Sequence, residues 1–195
     1  MSASASSTGA GCYVVRQAEE HELPRTLEVV NEAMAGAYAR VRAADAPPRT
    51  TMERMRRQMP EGDTDCVVLV CVDSESGAIC GTVMTTLHHH DFASAGRADT
   101  DSFGSLGVAV AAQGRGIGRL LVEAAEARAR QRGKRRMELC FAHGSQFPGG
   151  QPELLQFYER LGYEQGAREE LDFVWYNVLP EFRDGMYFQQ MVKQL

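Results

Sequence analysis

Six residues, Gln113-Gly114-Arg115-Gly116-Ile117-Gly118, constrain this chain more than any other feature. An apolar, strand-like run, Leu106-Gly107-Val108-Ala109-Val110, precedes them, and an amphipathic helix beginning near Arg119 follows. Strand, glycine turn, helix is the arrangement that presents bare backbone N–H groups to an anion. Glycine permits tight turning and close approach to the main chain. Each glycine in a first helical turn disfavours the helix by about 1 kcal/mol relative to alanine. A sequence that tolerates this needs backbone exposure there.

The chain has 195 residues, which suits one domain, and 44% hydrophobic content is enough for a core of ordinary size. A net charge of −5 argues against general nucleic-acid binding, which favours a basic balance. Residues 1–11 lack the apolar stretch of a signal peptide and read as a disordered polar tail ahead of a domain spanning 12–195. No apolar run approaches a membrane span. The five cysteines show no C-x-x-C spacing, and their odd count suggests reduced thiols in a cytoplasmic setting.

Hydrophobic periodicity predicts a first strand at 12–17, a helix over 20–38 and a basic helix over 51–59. Paired strands follow at 65–72 and 78–87 around a Ser-Glu-Ser-Gly turn. A strand at 103–110, the glycine turn and its helix come next. Then come a strand at 136–142, a short helix at 153–161 and strands at 163–169 and 186–192. Strands that first pair locally and then alternate with helices mean a mixed α/β sheet.

The glycine run fails as a dinucleotide fingerprint, because Arg119 and Leu121 stand where a further glycine is needed. It also lacks the Gly-Lys-Ser/Thr ending of a nucleotide-triphosphate loop. It does resemble the Q/R-x-x-G-x-G/A motif of the GNAT superfamily of acetyl-CoA-dependent N-acetyltransferases, with Gln113, Gly116 and Gly118 in the defining positions. Phe157-Tyr158-Glu159-Arg160-Leu161-Gly162-Tyr163 is similar to that family's FYxxxGF/Y segment. The resemblance implies a mostly antiparallel sheet of about seven strands, splayed into a V between the fourth and fifth, with about four flanking helices. It implies an acetyltransferase that moves acetyl from acetyl-CoA to a primary amine by direct attack in a ternary complex. An acyl-CoA-binding module without turnover stays open as the alternative.

The same resemblance places the pantetheine along the backbone of Val108, Ala109 and Val110. It places the pyrophosphate on the N–H groups from Arg115 through Gly116, Ile117 and Gly118 to Arg119, and counts Gln113 and Gly114 among the cofactor-binding residues. Physics supports the second placement, since a helix start carries about half a positive charge and unpaired donors. Arg115 and Arg119 add charge-assisted bonds to phosphate. Gln151 stands where many relatives have a pantetheine-binding asparagine, so that contact is carried over from a departing residue. Tyr158 is implied as the general acid at the departing thiolate. It also falls on the stripe Leu154, Phe157, Tyr158, Leu161, so ordinary core packing is the competing reading.

The base is open. Relatives with a glutamate on the fourth strand place it near Gly104, and here only Asp101 and Ser102 stand close by. Three adjacent histidines, His88 to His90, with Asp91 lack the separated spacing of a zinc site, so no metal is expected. The basic run from Arg128 to Arg136 fits the negative end of a helix dipole. Asn31, Met34 and Tyr38, with Phe173 to Tyr176, are candidates for an acceptor wall. The acceptor itself is open, and so is a homodimer through the late strands.

Overall fold

The segment Val67–Asp73 reads VVLVCVD, and its alternating side chains are buried on both faces of the strand. Val67, Leu69 and Cys71 enter one core, and Val68 and Val70 enter another. A strand buried on both sides requires cover on both sides, and the computed structural model shows it. It describes residues 5–7, 12–38, 48, 50–58, 66–85, 98–144, 152–170 and 186–195.

The strands are β1 (Ala5–Ser7), β2 (Cys12–Gln17), β3 (Val67–Asp73), β4 (Ile79–Thr85), β5 (Thr100–Val108), β6 (Arg136–Gly144), β7 (Glu164–Glu170) and β8 (Met186–Gln194). The helices are α1 (Leu23–Tyr38), α2 (Met52–Gln58), α3 (Ile117–Gln131) and α4 (Pro152–Arg160). One mixed sheet runs β1-β2-β3-β4-β5-β6-β8-β7, with every neighbouring pair antiparallel except β5 and β6. The expected mixed, mostly antiparallel architecture is present. Its expected fourth and fifth strands are β5 and β6, the numbers displaced by one because of β1. Those three residues of the segment read as a tail pair with β2 as an edge strand. The pairing is main chain to main chain, so no apolar alternation announces it.

α3 packs Ile117, Leu121, Val122, Ala125 and Ala129 into the core against β3, β4 and β5. The spacing is that of a single helical face. Leu23 and Val29 of α1 and Met55 of α2 cover the other side at Val68, Val70 and Met84. The helix expected from residue 20 begins with a 3-10 turn, Glu20–Glu22, closed by a capping box between Glu19 and Glu22.

β5 and β6 share only three rungs, Thr100–Arg136, Asp101–Met137 and Ser102–Glu138. Beyond Ser102 the strands part. β6 stays paired with β8 to its end, and β5 stays paired with β4. A bulge in β5 sets Ser105 and Leu106 against Val83, with Ser105 at φ 49. Bulges bend and over-twist a strand, so β5 turns away from β6 at that point. The closed end is pinned by backbone bonds from Arg135 and Arg136 N–H to Asp99 O, at 2.8 and 3.1 Å. Arg132 Nη1 adds a bond to Asp101 Oδ2 at 2.7 Å. This fork is the expected V.

Candidate active site

One limb of the fork leads directly into the glycine turn. The strand ends at Val108, two residues short of the expected end, and Val110–Ala112 is a 3-10 turn. Ala109 N–H bonds back to Cys80 O on β4 at 2.9 Å. Across a trans peptide the preceding carbonyl points the opposite way, so Val108 C=O faces the fork. There it accepts a bond from Gln113 Nε2 at 3.2 Å. Val110 lies outside the strand, and its N–H donates to Glu32 Oε1 at 3.2 Å. Of the expected pantetheine-pairing groups, Val108 faces the gap, whereas Ala109 N–H turns to β4 and Val110 N–H is held by α1.

The turn itself is open. Gly114 and Gly116 have φ values of 76 and 79, and Arg115 between them does not share that sign. Such alternation aims successive N–H groups into one concavity. A Cβ at either glycine would touch nothing within 4 Å, so both positions are open. Among the described residues the N–H groups of Gly114, Arg115, Gly116, Ile117, Gly118 and Arg119 have no hydrogen-bond partner. The first internal bond of the helix runs from Leu120 N–H to Gly116 O at 3.1 Å. Gly81 on β4 sets the position of this helix start. A Cβ there would lie 2.8 Å from Ile117 Cγ2 and 3.0 Å from Leu121 Cδ1, so only glycine admits α3 so close to the sheet.

The two arginines differ. Arg115 Nη1 makes a long bond, 3.4 Å, to the Tyr13 hydroxyl. Arg119 Nε is held by Glu123 Oε1 at 2.7 Å, an exposed pair one helical turn along.

Tyr158, on α4, lies over the place where the strands part. Its ring stacks on Phe141 of β6 at 5.8 Å and tilts against Phe103 of β5 at 6.1 Å. Phe157 and Tyr163 meet it edge-on at 5.1 and 5.9 Å. Tyr158 is only 4% exposed, and burial alone drives its phenol pKa upward. The phenol therefore stays protonated, a donor and not an anion, at any physiological pH. Its core position and its place at the fork are one arrangement.

Asp101 is engaged away from the open limb. Its carboxylate is buried at the closed end of the fork, held by Arg132 and by Ser102 N–H at 2.9 Å. Asn31 is likewise spent, since its side chain clamps Thr50 through bonds of 2.8 and 2.9 Å to that residue's C=O and N–H. The basic run is structural. Arg130 pairs with Glu126, Arg132 with Asp101 and Arg135 with Asp99, while Lys134 caps Ala98 O. Gln151, His88 to Asp91, Phe173 to Tyr176 and the side chain of Tyr38 lie outside the described residues. Among the described residues no group of acidic, histidine or cysteine side chains is arranged to hold a metal, and no helix is long and apolar enough to cross a membrane. Sequence reading missed Glu32 and Gln113 as partners of the fork's backbone, because neither contact has a local signal.

A forked sheet whose open limb ends in a cradle of amides is the architecture of a cofactor-dependent acyltransferase. The chain belongs to the GNAT acetyltransferase family: the family described as "Acetyltransferase (GNAT) domain" matches residues 64–165. Solved structures share the fold along nearly the whole chain. A GCN5-related N-acetyltransferase from Kribbella flavida is 21% identical, covering 94% of this chain and 98% of its own, with a TM-score of 0.66. The ribosomal-protein-alanine N-acetyltransferase from Brucella melitensis is 20% identical, with coverage of 93% and 99% and a TM-score of 0.64. The yncA protein of Salmonella typhimurium, solved with its cofactor acetyl-CoA, is 19% identical, with coverage of 94% for both chains and a TM-score of 0.63. No curated protein matches the chain in sequence.

Proposed function

We propose that this chain transfers acetyl from acetyl-CoA to a primary amine by direct attack within a ternary complex, with residues 12–195 as the catalytic domain. The observation that carries the reading is the conjunction at one fork of unpartnered amides from Gly114 to Arg119 and the phenol of Tyr158. The amides and Arg115 take the diphosphate, and the chain of pantetheine runs into the gap beside Val108. The thioester then sits under Tyr158.

Attack by the amine nitrogen forms the N–C bond, and the C–S bond breaks to release thiolate. A free thiol has a pKa of about 8.5 and a phenol about 10. Burial raises the phenol further, so Tyr158 acts chiefly as a hydrogen-bond donor to charge growing on sulfur. The same dry surroundings raise the thiolate's proton affinity, which favours transfer. Burial pushes the Cys71 thiol up to about 12 and raises Cys80 as well, which disfavours either as an acyl acceptor, while Cys140 on β6 keeps a covalent route open.

A binding module without turnover is favoured by one observation, the capture of Asp101 by Arg132. Release of free thiol from acetyl-CoA, measured against spermidine, lysine amide and an alanine-initiated peptide, separates the two. Amine-dependent release supports the transferase. Tight acetyl-CoA binding with no release across these acceptors overturns it.

A further inference from the structure

β6 continues past its last rung with β5 and carries His143 into the diverging limb. His143 and Phe141 are two residues apart in a strand and therefore share a face. Their rings lie 6.0 Å apart, and Phe141 in turn stacks on Tyr158. The imidazole thus stands on the aromatic wall that holds the proposed acid. His143 is paired in register with Tyr187 of β8, and its Nδ1 lies 3.2 Å from the Tyr187 hydroxyl. Behind that phenol, the Arg168 guanidinium of β7 sits 4.4 Å above the ring. No described group occupies the other ring nitrogen, Nε2.

Resting on the transferase reading above, we propose that His143 is the proton acceptor of the transfer step, with Tyr187 as its positioning residue. Nδ1–H donates to the Tyr187 oxygen, which leaves the Nε2 lone pair bare. As the acceptor nitrogen bonds to the acetyl carbon, Nε2 takes a proton from that nitrogen. The C–S bond then breaks, the departing thiolate accepts a hydrogen bond from the Tyr158 hydroxyl and takes its proton from solvent on release, and the imidazolium returns the proton it took to water.

Among the described side chains, the charged and titratable groups near His143 are Tyr187 from β8, Arg168 from β7 and, through Phe141, Tyr158 from α4, while Glu170 of β7 is paired in register with Tyr187. Burial, then the charge of Arg168, lowers the imidazole pKa below its ordinary 6.5, so the ring is neutral and able to accept at pH 7.

Two measurements test this. Long-range proton–nitrogen spectra of the 15N-histidine-labelled protein at pH 8, assigned with His143→Gln, report the tautomer directly. The proton belongs on Nδ1, and Tyr187→Phe redistributes it. A proton on Nε2 overturns the proposal. The second measurement is kinetic, on the amine that gives thiol release. His143→Gln lowers kcat about 100-fold and abolishes the acid limb of the kcat profile, while acetyl-CoA affinity is unchanged. An unchanged kcat and acid limb in that variant also overturns the proposal. A wild-type protein that acetylates no amine removes the transferase reading instead, and the tautomer spectrum still decides the pair.

Discussion

The carboxylate of Glu32, on α1, accepts a hydrogen bond from the main-chain N–H of Val110 at 3.2 Å. That amide sits at the mouth of the fork, where an incoming pantetheine carbonyl would need a donor. Under the proposed placement Glu32 and the cofactor would compete for this amide, and the carboxylate would repel the cofactor's phosphates. Glu32→Ala is expected to tighten acetyl-CoA binding by roughly fivefold, about 1 kcal/mol, the net worth of one such bond. Calorimetric titration checks this, and weaker binding in the variant would mean that Glu32 supports the cofactor.

The amide cradle makes a sharper demand. Gly116 has φ 79 and open space around it, so a side chain fits sterically but the backbone conformation resists it. A non-glycine residue there costs about 1–2 kcal/mol of strain. Gly116→Asp adds a carboxylate beside the diphosphate. Acetyl-CoA affinity is expected to fall at least about tenfold, while Gly116→Asn falls less. Equal affinities for wild type and the aspartate variant would exclude the cradle as the diphosphate site.

Tyr158 is core and candidate acid at once, so its test needs two readouts. Tyr158→Phe keeps the ring contacts to Phe103 and Phe141 and removes only the hydroxyl. That hydroxyl has no partner among the described residues, so thermal stability is expected to stay within about 1 kcal/mol. Turnover is expected to fall by about 100-fold with KM little changed. Unchanged turnover would leave Tyr158 as packing alone.

These relationships were unevenly legible in the sequence. Glycines at 114 and 116 announce a left-handed turn because few other residues adopt that conformation, and Tyr158 falls on a helical stripe. Those features are local. Glu32 meets Val110 across 78 positions, and Asp101 finds Arg132 only because α3 returns beside the closed end of the fork. Asp101 reads as a free carboxylate near the fourth strand until that return is drawn. Likewise His143 gains meaning only through Tyr187, which arrives from the last strand. Periodicity locates elements, while partners come from which elements the topology makes neighbours. The end of β5 falls short of the expected residue 110 for a related reason. Val110 is apolar yet 59% exposed, so the apolar run continued past the last ladder residue.

A pH dependence of stability follows from the start of α1. Glu22 Oε1 and Oε2 each accept a bond of 2.7 Å from Arg16 on β2, and Oε2 also caps Glu19 N–H at 2.8 Å. The Arg16 bonds, opposed by partial burial and helped by the Glu19 amide, hold this carboxyl down to about 2. In the unfolded chain a glutamate titrates near 4.3. A depressed carboxylate stabilises the fold above the unfolded value, and that contribution is lost as pH falls from about 4.3 toward 2. Arg16 is more than a third exposed, so solvent screening limits the pair to about 1 kcal/mol. Glu22→Gln is therefore expected to unfold at lower temperature than wild type at pH 7. The gap should narrow progressively below pH 4 and close near pH 2. Melting curves across that range decide it, and a gap that stays constant with pH would show that the glutamate acts through packing and not through its charge.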